Sequence, residues 1–74
     1  MDVRRVFGTN VRRLREAKGL SQEAFGFAAG IDRTYVSGVE RGVRNPSIVL
    51  AAKFAANLEV AVHVLLIEPD EAGA

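Results

Sequence analysis

Three glycines and a proline divide this sequence more firmly than any other feature. Gly19, Gly30, Gly42 and Pro46 fall between runs whose apolar residues recur every three or four positions, and no stretch shows the alternation of a half-buried strand. Glycine ends helices because it accepts left-handed backbone without penalty, and proline disfavours helix at the residue before it. The chain is therefore predicted to be all-α, a compact domain of five short helices.

The first helix carries Val3, Phe7, Val11 and Leu14 at spacings of four and three, with the Arg residues elsewhere, and stops at Gly19. The second starts at Ser21, whose hydroxyl can cap free N–H groups, has Glu23 in its first turn, and runs from Gln22 to Ala29. Gly30 supplies a positive φ, Asp32 caps a third helix over Arg33 to Arg41, and Gly42 closes it. "VRNPS" is a loop in which either Ser47, or Asn45 with Pro46 as first helical residue, caps the next helix. That fourth helix, Ile48 to Leu58, has only Lys53 and Asn57 as polar side chains, and a fifth, Val60 to Ile67, has only His63 between its ends. Residues 1–67 are expected to form the domain, with 68–74 as a frayed acidic tail.

A chain of 74 residues is one domain, and at this size only about 60% of the unfolded surface is buried, so the stability margin is thin. There is no Cys to reinforce it, which fits a reducing, cytoplasmic setting, and self-association is a common remedy. "MDVRRVFG" reaches no apolar run of signal-peptide length. Between Ile48 and Ile67, 16 of 20 residues are apolar, but Lys53, Asn57, Glu59 and His63 interrupt the run, so no membrane span is expected. The net charge of +1 hides an asymmetry: residues 1–45 hold nine Lys or Arg against five acids, and residues 46–74 hold one Lys against four. A basic end of this kind points to a nucleic acid or another polyanion.

Two short helices joined by a tight glycine turn, each with its own cap, outline a helix-turn-helix. Phe25, Ala29, Ile31, Val36 and Val39 can meet between them, which leaves Arg33, Thr34, Ser37 and Gly38 outward and Tyr35 toward one edge. The segment "LSQEAFGFAAGIDRTYVSGVERGVRNPS" resembles the Cro/repressor type of helix-turn-helix, over roughly residues 8–67. Gln22 opening the second helix, Gly30 in the turn, "ERG" ending the third helix and "NPS" opening the fourth carry the likeness; Gly26 departs from the family's usual Ala. Within that family, "DRTYVSGVERGVRNP" in so small a chain is similar to the controller proteins of restriction-modification systems, although phage-type repressors and DNA-binding antitoxins share most of the frame.

The resemblance implies a lambda repressor-like DNA-binding domain acting as a transcriptional regulator, with the third helix in the major groove of double-stranded DNA. There Arg33 can fork onto guanine O6 and N7, and Thr34, Tyr35 and Ser37 can touch base edges, sugars or phosphates. Gly38 fits two readings equally, a gap that lets the helix seat close to the bases and a glycine merely tolerated in the helix. Gln22 at a helix start, and Arg41, Arg44 and Asn45 after the reader helix, are the expected phosphate contacts, whereas Arg12 and Arg13 fit DNA or solvent equally. The family likeness assigns Arg15 and Glu40 to a structural ion pair linking the first and third helices.

One helix spans too few base pairs to select a site, so a twofold dimer is expected, with two dimers on paired operators in a controller protein. Val49, Ala56, Val62, His63 and Val64, on the over-apolar last two helices, are the candidate interface. His63 could lend that interface a pH response, although a lone His on an apolar face is more often plain packing. A regulator of this kind also implies a contact with RNA polymerase. The competing reading is an antitoxin-type or phage-type repressor whose apolar end binds another protein. With one His, no Cys and no converging acids, neither catalysis, a metal site nor a cofactor is expected.

Overall fold

The computed structural model describes residues 2–69, and among them helix is the only regular secondary structure. Four α-helices, α1 (Val3–Ala17), α2 (Gln22–Ala29), α3 (Arg33–Glu40) and α4 (Ile48–Asn57), are followed by a 3-10 segment, Val62–Leu66.

Each helix begins where a side-chain oxygen meets orphan amides. Ser21 accepts from the Ala24 amide at 2.9 Å, Asp32 from Thr34 at 2.8 Å and Ser47 from Leu50 at 3.1 Å, so Ser47 and not Asn45 caps α4. Asp2 caps α1 through the Arg4 amide at 3.0 Å, a start signal that the periodicity of Val3 and Phe7 obscures. Gly30 takes φ 69° and ψ 33°, and the Ile31 amide returns to the Gly26 carbonyl at 2.8 Å, which closes α2 in a left-handed turn. At Gly26 a Cβ would stand 2.5 Å from the Ile31 carbonyl oxygen, so the family's usual Ala does not fit this turn without a shift.

The expected fifth helix is replaced by the 3-10 segment, and the domain has four α-helices rather than five. Glu59 stands at φ 61° and Ala61 is extended, so helical geometry resumes only at Val62. Val60, Val62 and Val64 are β-branched and poor helix formers. The decisive contact comes from α1: the fully buried Asn10 donates from Nδ2 to the carbonyls of Leu65 (3.0 Å) and Ile67 (2.8 Å). Those carbonyls thus find their donor on another helix. The apolar stripe expected on α1 also begins later than its spacing suggests, because Val3 is half exposed at a groove rim instead of lying in the core.

Phe54 of α4 stands at the centre, with its ring centroid 5.8 Å from both Phe7 of α1 and Phe25 of α2. Val11, Phe25, Val36, Val39, Phe54 and Leu65 are completely shielded, and together they join all four helices and the 3-10 segment. α1 crosses α3 at Gly8, where a Cβ would come within 2.1 Å of the Val39 carbonyl oxygen and 2.8 Å of that of Glu40. A side chain there would push the two backbones apart. Among the described residues no buried side-chain nitrogen or oxygen lacks a partner, and no helix is long and apolar enough to cross a membrane.

Candidate nucleic-acid interface

α3 presents two chemically distinct sides because Val36 and Val39 hold it to the core. Arg33, Thr34 and Arg41 are exposed on the other side, with Ser37 half-buried beside them. Tyr35 is half-buried at the edge and packs on the core. Gly38 is buried: the Arg44 side chain lies across it, and a Cβ would meet Arg44 Cγ at 2.6 Å. The gap that Gly38 could leave for the bases is thus already filled by Arg44, whose guanidinium carbon is 5.6 Å from the Tyr35 ring centroid.

Ion pairing distinguishes the cations around α3 from most of those on α1. Arg4 pairs with Asp2, Arg12 with Glu16, Arg15 with Glu40 and Lys18 with Glu59. Arg33, Arg41 and Arg44 make no ion pair among the described residues, and all three are exposed on α3 or just after it. Their charge is not neutralised locally and is available to an anionic partner. Of the two residues that fitted DNA or solvent equally, Arg12 is held in an i,i+4 pair and Arg13 donates to Asn10 Oδ1 at 3.4 Å.

A buried network sets α3 against α1 and α2. Arg15 forks onto Glu40 through Nε (2.6 Å) and Nη2 (2.9 Å), and its Nη1 donates to the Leu20 carbonyl at 2.7 Å. Only 9% of the Arg15 side chain and 3% of that of Glu40 is exposed. The hydrogen bond to Glu40 raises the Arg15 pKa above its already high ordinary value, so this guanidinium stays charged. Gln22, expected from its position to be a phosphate contact, donates its amide to Glu40 Oε1 at 3.1 Å and completes the carboxylate's coordination. Asn45 is exposed on the loop and borders an apolar groove.

That groove, of about 310 Å³, runs between the starts of α1 and α4 and the 3-10 segment, lined by Val3, Phe7, Pro46, Ile48, Val62 and Leu66. It continues onto the outer face of α4, where Ile48 is 87% and Val49 81% exposed and Ala56 is exposed as well. Val62 and His63 are exposed, and Val64 is half-buried. At this groove Ile48 and Leu66 are not among the interface residues that the sequence points to, and Val3 reads there as core, although the position of Ile48 directly after the Ser47 cap places it at an uncovered helix start. Among the described residues no cluster of His, Cys, Asp or Glu could hold a metal.

A family model described as helix-turn-helix matches residues 11–65. The HTH-type transcriptional regulator y4dJ of Sinorhizobium fredii is 41% identical over 71 residues, covering 96% of this chain and 91% of that protein. The crystal structure of the restriction-modification controller protein C.AhdI from Aeromonas hydrophila superposes with a TM-score of 0.79 at 50% identity, over 84% of this chain and 94% of that one. The controller protein C.Esp1396I, solved as a tetramer in complex with its natural 35 base-pair operator, gives a TM-score of 0.78 at 31% identity, over 88% of this chain and 86% of that one. Matched along most of its length in sequence and in backbone, the chain belongs to the helix-turn-helix family of transcriptional regulators that includes the restriction-modification controller proteins.

Proposed function

We propose that this protein regulates transcription as a homodimer that lays α3 of each subunit in the major groove of an operator half-site, in the manner of a restriction-modification controller. The observation that carries the reading is the exposed side of α3, where Arg33, Arg41 and Arg44 lack carboxylate partners among the described residues and flank Thr34 and Ser37. B-DNA admits one α-helix in its major groove, and the first turn of that helix reaches base edges. Arg33, the first residue of α3, is assigned to a guanine edge, with Arg41 and Asn45 on the phosphates. Two such helices reading half-sites about 34 Å apart require a twofold contact, and the exposed apolar face of α4 with the adjoining groove supplies it. C.Esp1396I occupies its operator as a tetramer, which supports two dimers on paired sites for this chain too. The proposed function includes a contact between the bound regulator and RNA polymerase.

The test is Arg33→Ala, measured by titration on the selected operator and on random duplex. Specific binding is expected to weaken by about 1–3 kcal/mol with non-specific binding almost unchanged. Equal losses on both duplexes would move Arg33 to the phosphate backbone. Wild-type affinity should also fall steeply with salt, since protein cations displace DNA counterions; a flat salt response would remove the DNA interface altogether.

A further inference from the structure

Arg5 stands apart from the other arginines of α1. Arg4 is taken up by Asp2, Arg12 by Glu16, Arg13 by the Asn10 side chain and Arg15 by Glu40. Arg5 is exposed and has no side-chain partner among the described residues: Asp2 and Glu68 border the open polar pocket beside it, but neither comes within ion-pairing distance. Its place on the helix is equally particular. Arg5, Gly8, Arg12 and Arg15 recur at spacings of three and four and so form one stripe along α1. That stripe rides on the end of α3. Gly8 lies against the Val39 and Glu40 carbonyls, and Arg15 forks onto the Glu40 carboxylate. At the start of the stripe stands Gly42, buried and at φ 78°, where a Cβ would lie 2.9 Å from Arg5 Cγ and 3.3 Å from Arg5 Cα. Backbone packing therefore holds Arg5 beside the turn that ends α3, next to the exposed Arg41.

The length of α3 decides what Arg5 can reach. In the proposed docking α3 enters the major groove by its first turn, at Arg33, and its far end rises toward the sugar-phosphate backbone. Eight residues at 1.5 Å each put that far end about 12 Å from the first turn. A cation there is displaced from the base edges that Arg33 meets, and the anion within its range is phosphate. We infer that Arg5 is a phosphate-binding residue that continues the backbone contact of Arg41 onto α1 and extends the hold of each subunit beyond the base pairs that α3 reads. This inference rests on the proposed DNA-reading function. Arg12, the next exposed cation on the same stripe, is already paired with Glu16 at 3.2 Å, so the added charge on this flank comes from Arg5. Contacts of this kind set the register of a protein on the duplex without carrying sequence information.

Arg5→Gln is the discriminating variant, because glutamine keeps the Cβ and Cγ that cover Gly42 and removes only the charged head from an exposed side chain. The probes are a duplex enriched by the wild-type protein from a randomised library and a scrambled duplex of equal length, each titrated over a range of salt concentrations. Arg5→Gln should weaken both duplexes by the same factor, about 8-fold for each bound subunit at about 0.1 M salt, and should lower the slope of log affinity against log salt by about 0.9 per subunit. Arg5→Lys, which keeps a cation for the phosphate, should retain the wild-type slope. Phosphate ethylation interference on the enriched duplex gives the position of the contact. Outside the base pairs that α3 reads, it should find phosphates whose ethylation weakens the wild type and has no effect on Arg5→Gln. An unchanged slope, a loss confined to the enriched duplex, or the same interference pattern in both proteins would overturn the inference and leave the DNA-reading function in place. A flat salt response in the wild type would instead remove that function, and this inference with it.

Discussion

Replacing Glu40 with Ala tests the internal frame on which the α3 surface depends. The Glu40 carboxylate, with its side chain only 3% exposed, accepts from Arg15 Nε at 2.6 Å, Arg15 Nη2 at 2.9 Å and Gln22 Nε2 at 3.1 Å. Removal leaves the Arg15 guanidinium charged, on a side chain 9% exposed, with the Leu20 carbonyl as its remaining hydrogen-bond acceptor and only the exposed Glu16 carboxylate, 3.9 Å away, as a counter-charge. Orphaning one partner of a buried pair costs about 3–5 kcal/mol. A domain of 74 residues holds roughly 4–11 kcal/mol in total at the usual stability per residue. The variant should therefore lose much of its stability, and in the weaker half of that range it should be largely unfolded. Urea unfolding followed by far-UV circular dichroism, at one fixed protein concentration because a dimer's stability depends on it, measures the loss. The paired replacement Arg15→Met with Glu40→Leu should be clearly more stable than Glu40→Ala, since it deletes both charges at once, with a residual loss from the Leu20 carbonyl and the Gln22 amide that it leaves without these partners. A loss below about 1 kcal/mol for Glu40→Ala would mean that the pair behaves like a solvated surface pair, and the argument from burial would be refuted.

Asn10→Ala should destabilise by about 1–3 kcal/mol, the cost of carbonyls at Leu65 and Ile67 left without a donor, and amide exchange should show the loosening concentrated in the 3-10 segment. Ile48→Asp, at a position 87% exposed, should leave the monomer folded but shift gel filtration with light scattering from dimer to monomer; a persistent dimer would place the twofold contact elsewhere. Hydrogen bonds from Arg4 hold the Asp2 carboxyl below its ordinary value of 3.8, so its capping contribution is complete above that value and disappears as pH falls through the lowered one. Asp2→Asn retains a cap without a titrating group, and its urea midpoint should lack that acid component of the wild type.

The parts of the fold legible in the sequence are those whose causes are local. α2 runs over Gln22–Ala29 as its cap and glycine turn require, and α3 ends one residue before Arg41, which serves as its cap. Ser21, Asp32 and Ser47 each act on an amide two or three residues away, within reach of any pattern reading. The rest depends on distant partners. Asn10 reads as a polar break in α1, and its meaning lies 55 residues away at Leu65. Gly8 reads as a weak point in a helix until α3 crosses it. Gly38 and Arg44 are six positions apart, but which of them faces outward is decided by the path of the intervening loop, which no periodicity encodes.

The same distant contacts explain how so small a chain can hold the two proposed surfaces in one frame. Gly8 lets α1 lie against the end of α3, and the Arg15–Glu40–Gln22 network fixes that end to α1 and α2. On the other flank of α1, Asn10 holds the 3-10 segment that lines the apolar groove with Val62 and Leu66. α1 thus sets the angle between the proposed reading helix and the proposed twofold contact. In a dimer that must match two half-sites about one helical turn apart, an error in this angle is doubled by the symmetry axis. The polar residues in the interior of α1, costly as they are to bury, are all hydrogen-bonded across elements, Asn10 to the 3-10 segment and Arg15 to α3, and satisfied buried networks of this kind add directional constraints that apolar packing lacks.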